Sequence, residues 1–227
     1  MTLGQMRAQV RQYIREPVEI IVQNAEINEW LNTAQGRIVA ETLCLEGRAS
    51  LSTIANQERY PMPCDYLKVY QVAVDDCVIG PTEQRDHGAG MAPAARSTLG
   101  TAEPTGYYLL GQYIGFRPVP NAVYTINIIY RKTATAMALD TTAPEIEARW
   151  HHVPVHYGVW QGFLKLGDIR MAREFERLWI NDLEAMKRET SLRHLDVGAR
   201  ITDGYHKGYA DASAEETWLS RLLAGLS

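Results

Sequence analysis

The 227-residue sequence predicts an α+β protein in which helices from both ends of the chain bracket an inserted β module. Three observations predict it. Apolar residues recur at helical spacing over residues 3–14 and again from Asn24 to Leu45. Strand-like alternation and turn residues then dominate 48–135, and the helical period returns from Arg149 to Thr190. Helices gathered before and after a run of strands are the pattern of a helical layer carrying a separate sheet, rather than of alternating βαβ units.

The first helix rests on Leu3, Met6, Val10, Tyr13 and Ile14, with Gln5, Arg7, Gln9, Arg11 and Gln12 on the remaining surface. A break at Glu16-Pro17 follows, and Asn24 is read as the N-cap of a longer helix carried by Ile27, Trp30, Leu31, Ala34, Ile38 and Leu45. From residue 48 the segment RASLSTIANQERYPMP reads as a hairpin around Asn56-Gln57, and YLKVYQVAVDDCVIG as a second around Asp75-Asp76. GYYLLGQYIGFRPVP places two strands around Gly111-Gln112. In AVYTINIIYRK, Val123, Thr125, Asn127 and Ile129 face away from Tyr124, Ile126, Ile128 and Tyr130. Together these make an antiparallel module of roughly six or seven short strands.

After Asp140, RWHHVPVHYGVWQGFLKL and IRMAREFERLWINDLEAMKRE form an αα-hairpin turning at Gly167-Asp168, the second arm presenting Ile169, Ala172, Phe175, Trp179, Leu183 and Met186. The expected organisation is thus an antiparallel helical bundle from 1–47 and 140–190, made of two N-terminal helices and the C-terminal αα-hairpin. The β module occupies 48–135 and contains a long loop at 82–105, rich in Gly, Ala, Pro, Ser and Thr. Residues 191–227 form an extended polar tail. It ends in a tethered amphipathic helix, SAEETWLSRLLAGLS, with Ser213 and Glu216 at capping-box spacing and Trp218, Leu219, Leu222 and Leu223 on one side. So short an amphipathic helix needs a surface to cover, and the tether lets that surface belong to another protein.

Composition narrows the function. A formal charge of −4 and a pI near 5.9 argue against a surface that wraps nucleic acid by neutralising phosphates. Cys44, Cys64 and Cys77 form no CxxC pair and read as reduced thiols. The N-terminus has no signal-peptide pattern, and no apolar run approaches the roughly 18 to 20 residues of a membrane span. A soluble protein of a reducing cytoplasm is expected.

RWHHVPVHY, residues 149–157, holds the densest group of potential metal ligands, His151, His152 and His156. His152 and His156 are four apart, on one face of a helix, yet two imidazoles need a third ligand and an oriented outer shell. HExxH is absent, and Pro154 belongs in a first helical turn that begins near Val153, with His151 and His152 at its mouth. The reading adopted is a packed junction with Trp150, Val153, Tyr157 and Trp160 as its buried stripe and with no catalytic residue, metal or cofactor. No P-loop, GxSxG elbow or GxGxxG follows a strand, and the adjacent Asp75-Asp76 is a turn rather than a catalytic pair.

The order of INEWLNTAQGRIVAET, YPMPCDYLKV, YYLLGQYIGFRPVPNAVYTINIIYRK and HHVPVHYGVWQGFLKLGDIRMAREFERLWINDLEAMKRE resembles the head-to-tail adaptor proteins of tailed bacteriophages, over roughly residues 1–190. The most telling part is IGFRPVPNAVYTINIIYRK leading through an Ala-Leu-Asp segment into a helix pair broken by Gly-Asp. The resemblance implies a structural, non-enzymatic protein of the virion neck, present in the host cytoplasm during assembly. Such adaptors form a ring, commonly of twelve copies, under the portal protein, extend the DNA channel without sequence-specific binding, and offer tail or nozzle proteins a platform. It also makes Trp218, Leu219, Leu222 and Leu223 candidate portal anchors. Two other readings compete. A virion-associated cell-wall hydrolase would need paired carboxylates, with Glu145 and Glu147 the nearest candidates. A carbohydrate- or peptide-binding module would use Tyr107, Tyr108, Tyr113, Tyr124 and Tyr130 as an aromatic platform.

Overall fold

Helix α1 (Leu3–Ile14) begins where its donors find acceptors. The Gln5 N–H donates to Thr2 Oγ1 at 3.4 Å, the Thr2 N–H returns a bond to Gln5 Oε1 at 2.9 Å, and the Leu3 and Gly4 N–H groups reach the carbonyls of Thr142 and Asp140. It stops at Arg15, which turns into the left-handed region with φ 58°. The computed structural model describes residues 1–16, 18–82 and 100–202. It divides into two units, Met1–Met186 and Lys187–Ser227, and everything below up to Met186 belongs to the first.

Helix α2 (Asn24–Thr42) corrects one detail of the sequence reading. Its N-cap is Gln23, whose N–H donates to Glu26 Oε2 at 2.9 Å, while the Asn24 side chain is drawn away to accept from Arg11 Nε at 2.8 Å. The helix ends at Thr42, so Leu45 falls outside it, whereas Ile27, Leu31, Ala34 and Ile38 are fully buried and Trp30 partly so.

Among the described residues the β module holds nine strands, more than the sequence suggests, and it is mixed rather than antiparallel. They are β1 (Glu46–Ser52), β2 (Arg59–Pro61), β3 (Tyr66–Val74), β4 (Cys77–Pro81), β5 (Thr101–Ala102), β6 (Gly106–Leu110), β7 (Tyr113–Arg117), β8 (Val119–Pro120) and β9 (Thr125–Lys132). Seven form a sheet in the order β1-β9-β3-β4-β6-β7-β2; β5 and β8 form a ribbon. β4 pairs β6 in parallel, as β5 does β8.

The β3–β4 and β6–β7 hairpins form as read, with Asp75 (φ 42°), Asp76 (φ 70°) and Gly111 (φ 58°) supplying the positive φ their tight turns require. The hairpin expected around Asn56-Gln57 does not. A local turn exists there, closed by Gln57 N–H on the Ile54 carbonyl, but β1 pairs with β9 and β2 with β7. β1 and β2 lie at opposite edges of the sheet, joined by residues 53–58, so the sheet curls around one core built from Tyr60, Val72, Val74, Ile114, Phe116, Ile126, Ile128 and Tyr130. The expected loop at 82–105 is shorter at its end, where Thr101–Ala102 is strand and the Thr105 N–H donates to the Arg117 carbonyl.

From β9 the chain returns along α2. Two amides one turn apart grip it: Asn32 accepts from the Met137 N–H at 2.7 Å, and Gln35, 1% exposed, accepts from the Glu145 N–H at 3.1 Å while donating to the Thr135 carbonyl at 2.9 Å. A 3₁₀ turn (Ala148–Trp150) leads into α3 (His152–Leu166), one residue earlier than Val153. Val153 and Tyr157 are buried as read; Trp150 and Trp160 are only partly so. Gly158 and Gly162 face α1, where an added Cβ would stand 3.0 Å from Val10 Cγ2 and 2.8 Å from Ile14 Cγ2, so the missing side chains set how closely the two helices meet.

Gly167, at φ 79°, turns the chain into α4 (Ile169–Thr202). Ala172, Phe175, Trp179, Leu183 and Met186 are buried, but Ile169 is exposed, lying too close to the turn to reach the core. α4 also runs 12 residues beyond 190, so 191–202, expected to be extended, are helical. The described part of the second unit, 187–202, is this continuation.

Candidate functional site

The three histidines sit where α3 begins and take three different roles. His151, 5% exposed, donates from Nε2 to the Ile146 carbonyl at 3.0 Å, a bond that leaves Nδ1 to accept from the Met1 ammonium at 2.6 Å. Burial pushes its pKa below the ordinary value, against the pull of the Ile146 carbonyl. His152 Nδ1 donates to the Arg149 carbonyl at 2.9 Å, and His156 Nδ1 to Asp182 Oδ2 at 2.7 Å, the latter tying α3 to α4. His152 Nε2 stands 3.7 Å from the same carboxylate, and the Trp150, His152, His156 and Phe175 rings follow one another at centroid spacings of 5.6 to 6.0 Å. Among the described residues no three His, Cys, Asp or Glu side chains are arranged to hold a metal ion.

Glu145 and Glu147 are engaged separately. Burial alone would raise the Glu145 pKa, but hydrogen bonds from Lys132 and from the Thr135 hydroxyl and N–H outweigh it and hold the carboxyl below its ordinary range. A general acid needs the opposite shift. Glu147 accepts from Arg149 Nε at 2.8 Å. The five tyrosines do not make one platform: Tyr107, Tyr108 and Tyr130 are buried, Tyr124 bonds Asn121 through its hydroxyl, and Tyr113 stands exposed on β7. Cys44, Cys64 and Cys77 are free thiols. Trp218, Leu219, Leu222 and Leu223 lie outside the described residues.

What the sequence reading missed is a pair of surfaces on α1. One is the α1–α2 connection, where Val18, Ile20 and Ile21 are 59%, 72% and 52% exposed. Polar groups beneath hold it in shape: Glu16, itself buried, accepts from the N–H groups of Ile20, Ile21 and Val22, and Arg11 donates to the carbonyls of Glu16, Val18 and Val22. The backbone bonds keep the Glu16 carboxyl below its ordinary pKa although burial opposes them. The other is a groove of about 930 Å³ among α1, α3 and α4, lined by Gln9, Tyr13, Phe163, Leu166, Met171 and Phe175. The Gln9 Oε1 in its wall is a buried acceptor with no donor among the described residues. The signal available was the aliphatic run in EPVEIIV, which reads as a mere break between helices; the groove, built from three distant segments, left none.

The first unit thus combines a helical layer with a curled sheet and leaves aliphatic side chains exposed on its α1–α2 connection. The chain belongs to the SU10 adaptor protein family, a phage head-to-tail adaptor family whose model matches residues 1–201. As a phage adaptor it is a component of the virion that associates with other phage structural proteins. No curated protein matches the chain. No helix among the described residues is long and apolar enough to cross a membrane. The matched span stops short of Trp218, Leu219, Leu222 and Leu223.

Proposed function

We propose that this chain assembles as a ring, commonly of twelve copies in such adaptors, beneath the portal protein, extending the DNA channel and giving tail or nozzle proteins their attachment platform. The family match over residues 1–201 carries the proposal. In this reading the helices pack as an antiparallel bundle that builds the ring wall and the curled sheet and its hairpins face the tail. The C-terminal segment grips the portal through Trp218, Leu219, Leu222 and Leu223. The role is structural and not catalytic; the depressed Glu145 carboxyl and the divided tyrosines favour it over a hydrolase or a glycan-binding module. The acidic balance of the chain suits a lumen that lets DNA slide.

Electron microscopy of the protein mixed with its cognate portal tests this, comparing the full chain with one cut after Asp211. A ring stacked on the portal by the full chain and lost on truncation is expected. A full-length protein that forms no ring on the portal overturns the function, and a truncated one that still docks overturns the anchor.

A further inference from the structure

Two surfaces of α1 are unlike and complementary. Val18 and Glu19 line a shallow cleft with Gly4, Arg7, Ala8 and Arg11, while Gln9, Gln12 and Tyr13 line the groove. At about 100° per residue the two sets of α1 positions are centred roughly 140° apart around the helix. An exposed aliphatic connection and a groove on well-separated faces of one subunit cannot meet within that subunit's own α1, and are placed as the two halves of a head-to-tail contact between copies would be.

We infer that the groove among α1, α3 and α4 receives the Val18–Ile21 connection of a neighbouring copy of this chain. Three features of the surface choose that occupant. The connection is already fixed by Glu16 and Arg11, so little conformational freedom remains to be lost when its aliphatic side chains dock. The groove has a mixed lining in which Tyr13, Phe163, Leu166, Met171 and Phe175 supply apolar surface among polar side chains, and its volume of about 930 Å³ accommodates several side chains. The charges also match on balance: the lining carries Arg15 and Arg170, both exposed and without an ion-pair partner among the described residues, against one carboxylate, Asp168, which accepts from the Met171 N–H, and the incoming connection carries the exposed Glu19. On its own subunit Glu19 accepts from the Asn24 amide and stands 4.0 Å from Arg11, and its side chain is 41% exposed, so the carboxylate can still reach a guanidinium of a neighbouring copy.

The contact is heterologous, so repeating it either closes a ring or propagates a filament. It deepens the adaptor reading, on which it rests, by naming the faces that join neighbouring copies.

The test uses the full chain on its portal, with Ile20 replaced by a benzophenone amino acid and isotopically heavy and light copies mixed before irradiation. Cross-links from position 20 to peptides containing Tyr13 or Met171, joining heavy to light chains, are expected. Ile20→Glu and Met171→Glu should each weaken association of copies by roughly 10- to 100-fold. Ile20 is so exposed that its substitution leaves the monomer's melting temperature unchanged, which separates lost docking from lost folding. Cross-links confined to the same copy, to residues 213–227, or to the portal overturn the inference. So does undiminished ring formation by the Ile20→Glu protein. Rings that persist with cross-links elsewhere remove this interface and leave the adaptor reading standing; the absence of any ring removes both.

Discussion

Arg11 shows how much of the fold one side chain organises. Its guanidinium, 8% exposed as a residue, donates to Asn24 Oδ1 at 2.8 Å, to the Val22 carbonyl at 2.9 Å and to the carbonyls of Glu16 and Val18 at 3.3 Å. Arg11→Ala strands those acceptors and should cost about 3 kcal/mol in urea or thermal unfolding, while Arg11→Lys recovers only part because a single ammonium cannot reproduce the fork. From sequence Arg11 is one more polar residue on the outer face of an amphipathic helix. Its burial depends on a connection that folds back over it, which helical spacing does not reveal. His151 makes a second prediction. Its pKa is depressed in the folded state, so as pH falls the unfolded chain binds the proton first and gains from it. The stability this group contributes is complete above about pH 6.5 and is lost below it. Thermal melts between pH 8 and 5 should fall with acidification. The His151→Gln protein, less stable at pH 8, should show a shallower decline.

At the scale of elements, helices were legible where their caps and apolar stripes are local. Residues 3–14 appear as read, and so do the β3–β4 and β6–β7 hairpins, whose turns carry their own backbone signals. Pairing across long separations was not legible. β1 and β2 flank a real turn at Asn56, yet Ala49 opposes Ile128 and Tyr60 opposes Ile114, partners that lie 79 and 54 residues away in the chain. The two-residue strands β5 and β8 carry too few positions to show alternation at all. The meeting of α1 and α3 is equally hidden, since it hangs on the glycines at 158 and 162 rather than on any large side chain. Gly162→Val should drive the Ile14 methyl out of place and cost about 2–3 kcal/mol, read as a lowered urea midpoint.

For the whole molecule, the candidate site was legible only as a class. The histidines of RWHHVPVHY catch the eye because their residue types are rare, but bonds to the Ile146 and Arg149 carbonyls and to Asp182 occupy them at the helix junction. The paired faces of α1 escape notice because a face exists only once three segments of chain have met. The net charge makes one molecule-wide prediction. With −4 overall, the purified protein should hold duplex DNA no more tightly than micromolar Kd at physiological salt, measured by fluorescence anisotropy. Nanomolar retention would contradict a lumen built for sliding.

The inserted position of the β module also sets a timetable. α2 ends at Thr42 and α3, which covers α1 and α2, does not begin until His152, about 110 residues later. At synthesis rates of about 5–20 residues per second, Leu3, Met6, Val10, Ile27 and Leu31 wait roughly 6 to 30 seconds before their covering helix begins to be made. During that interval the nascent chain displays an unfinished apolar sheath, a natural client for host chaperones. Ribosome-bound chains stalled near residue 140 should therefore be held by such chaperones, and chains stalled far enough along for α4 to emerge should be released. On that outcome, the supply of finished subunits would depend on the host's folding machinery.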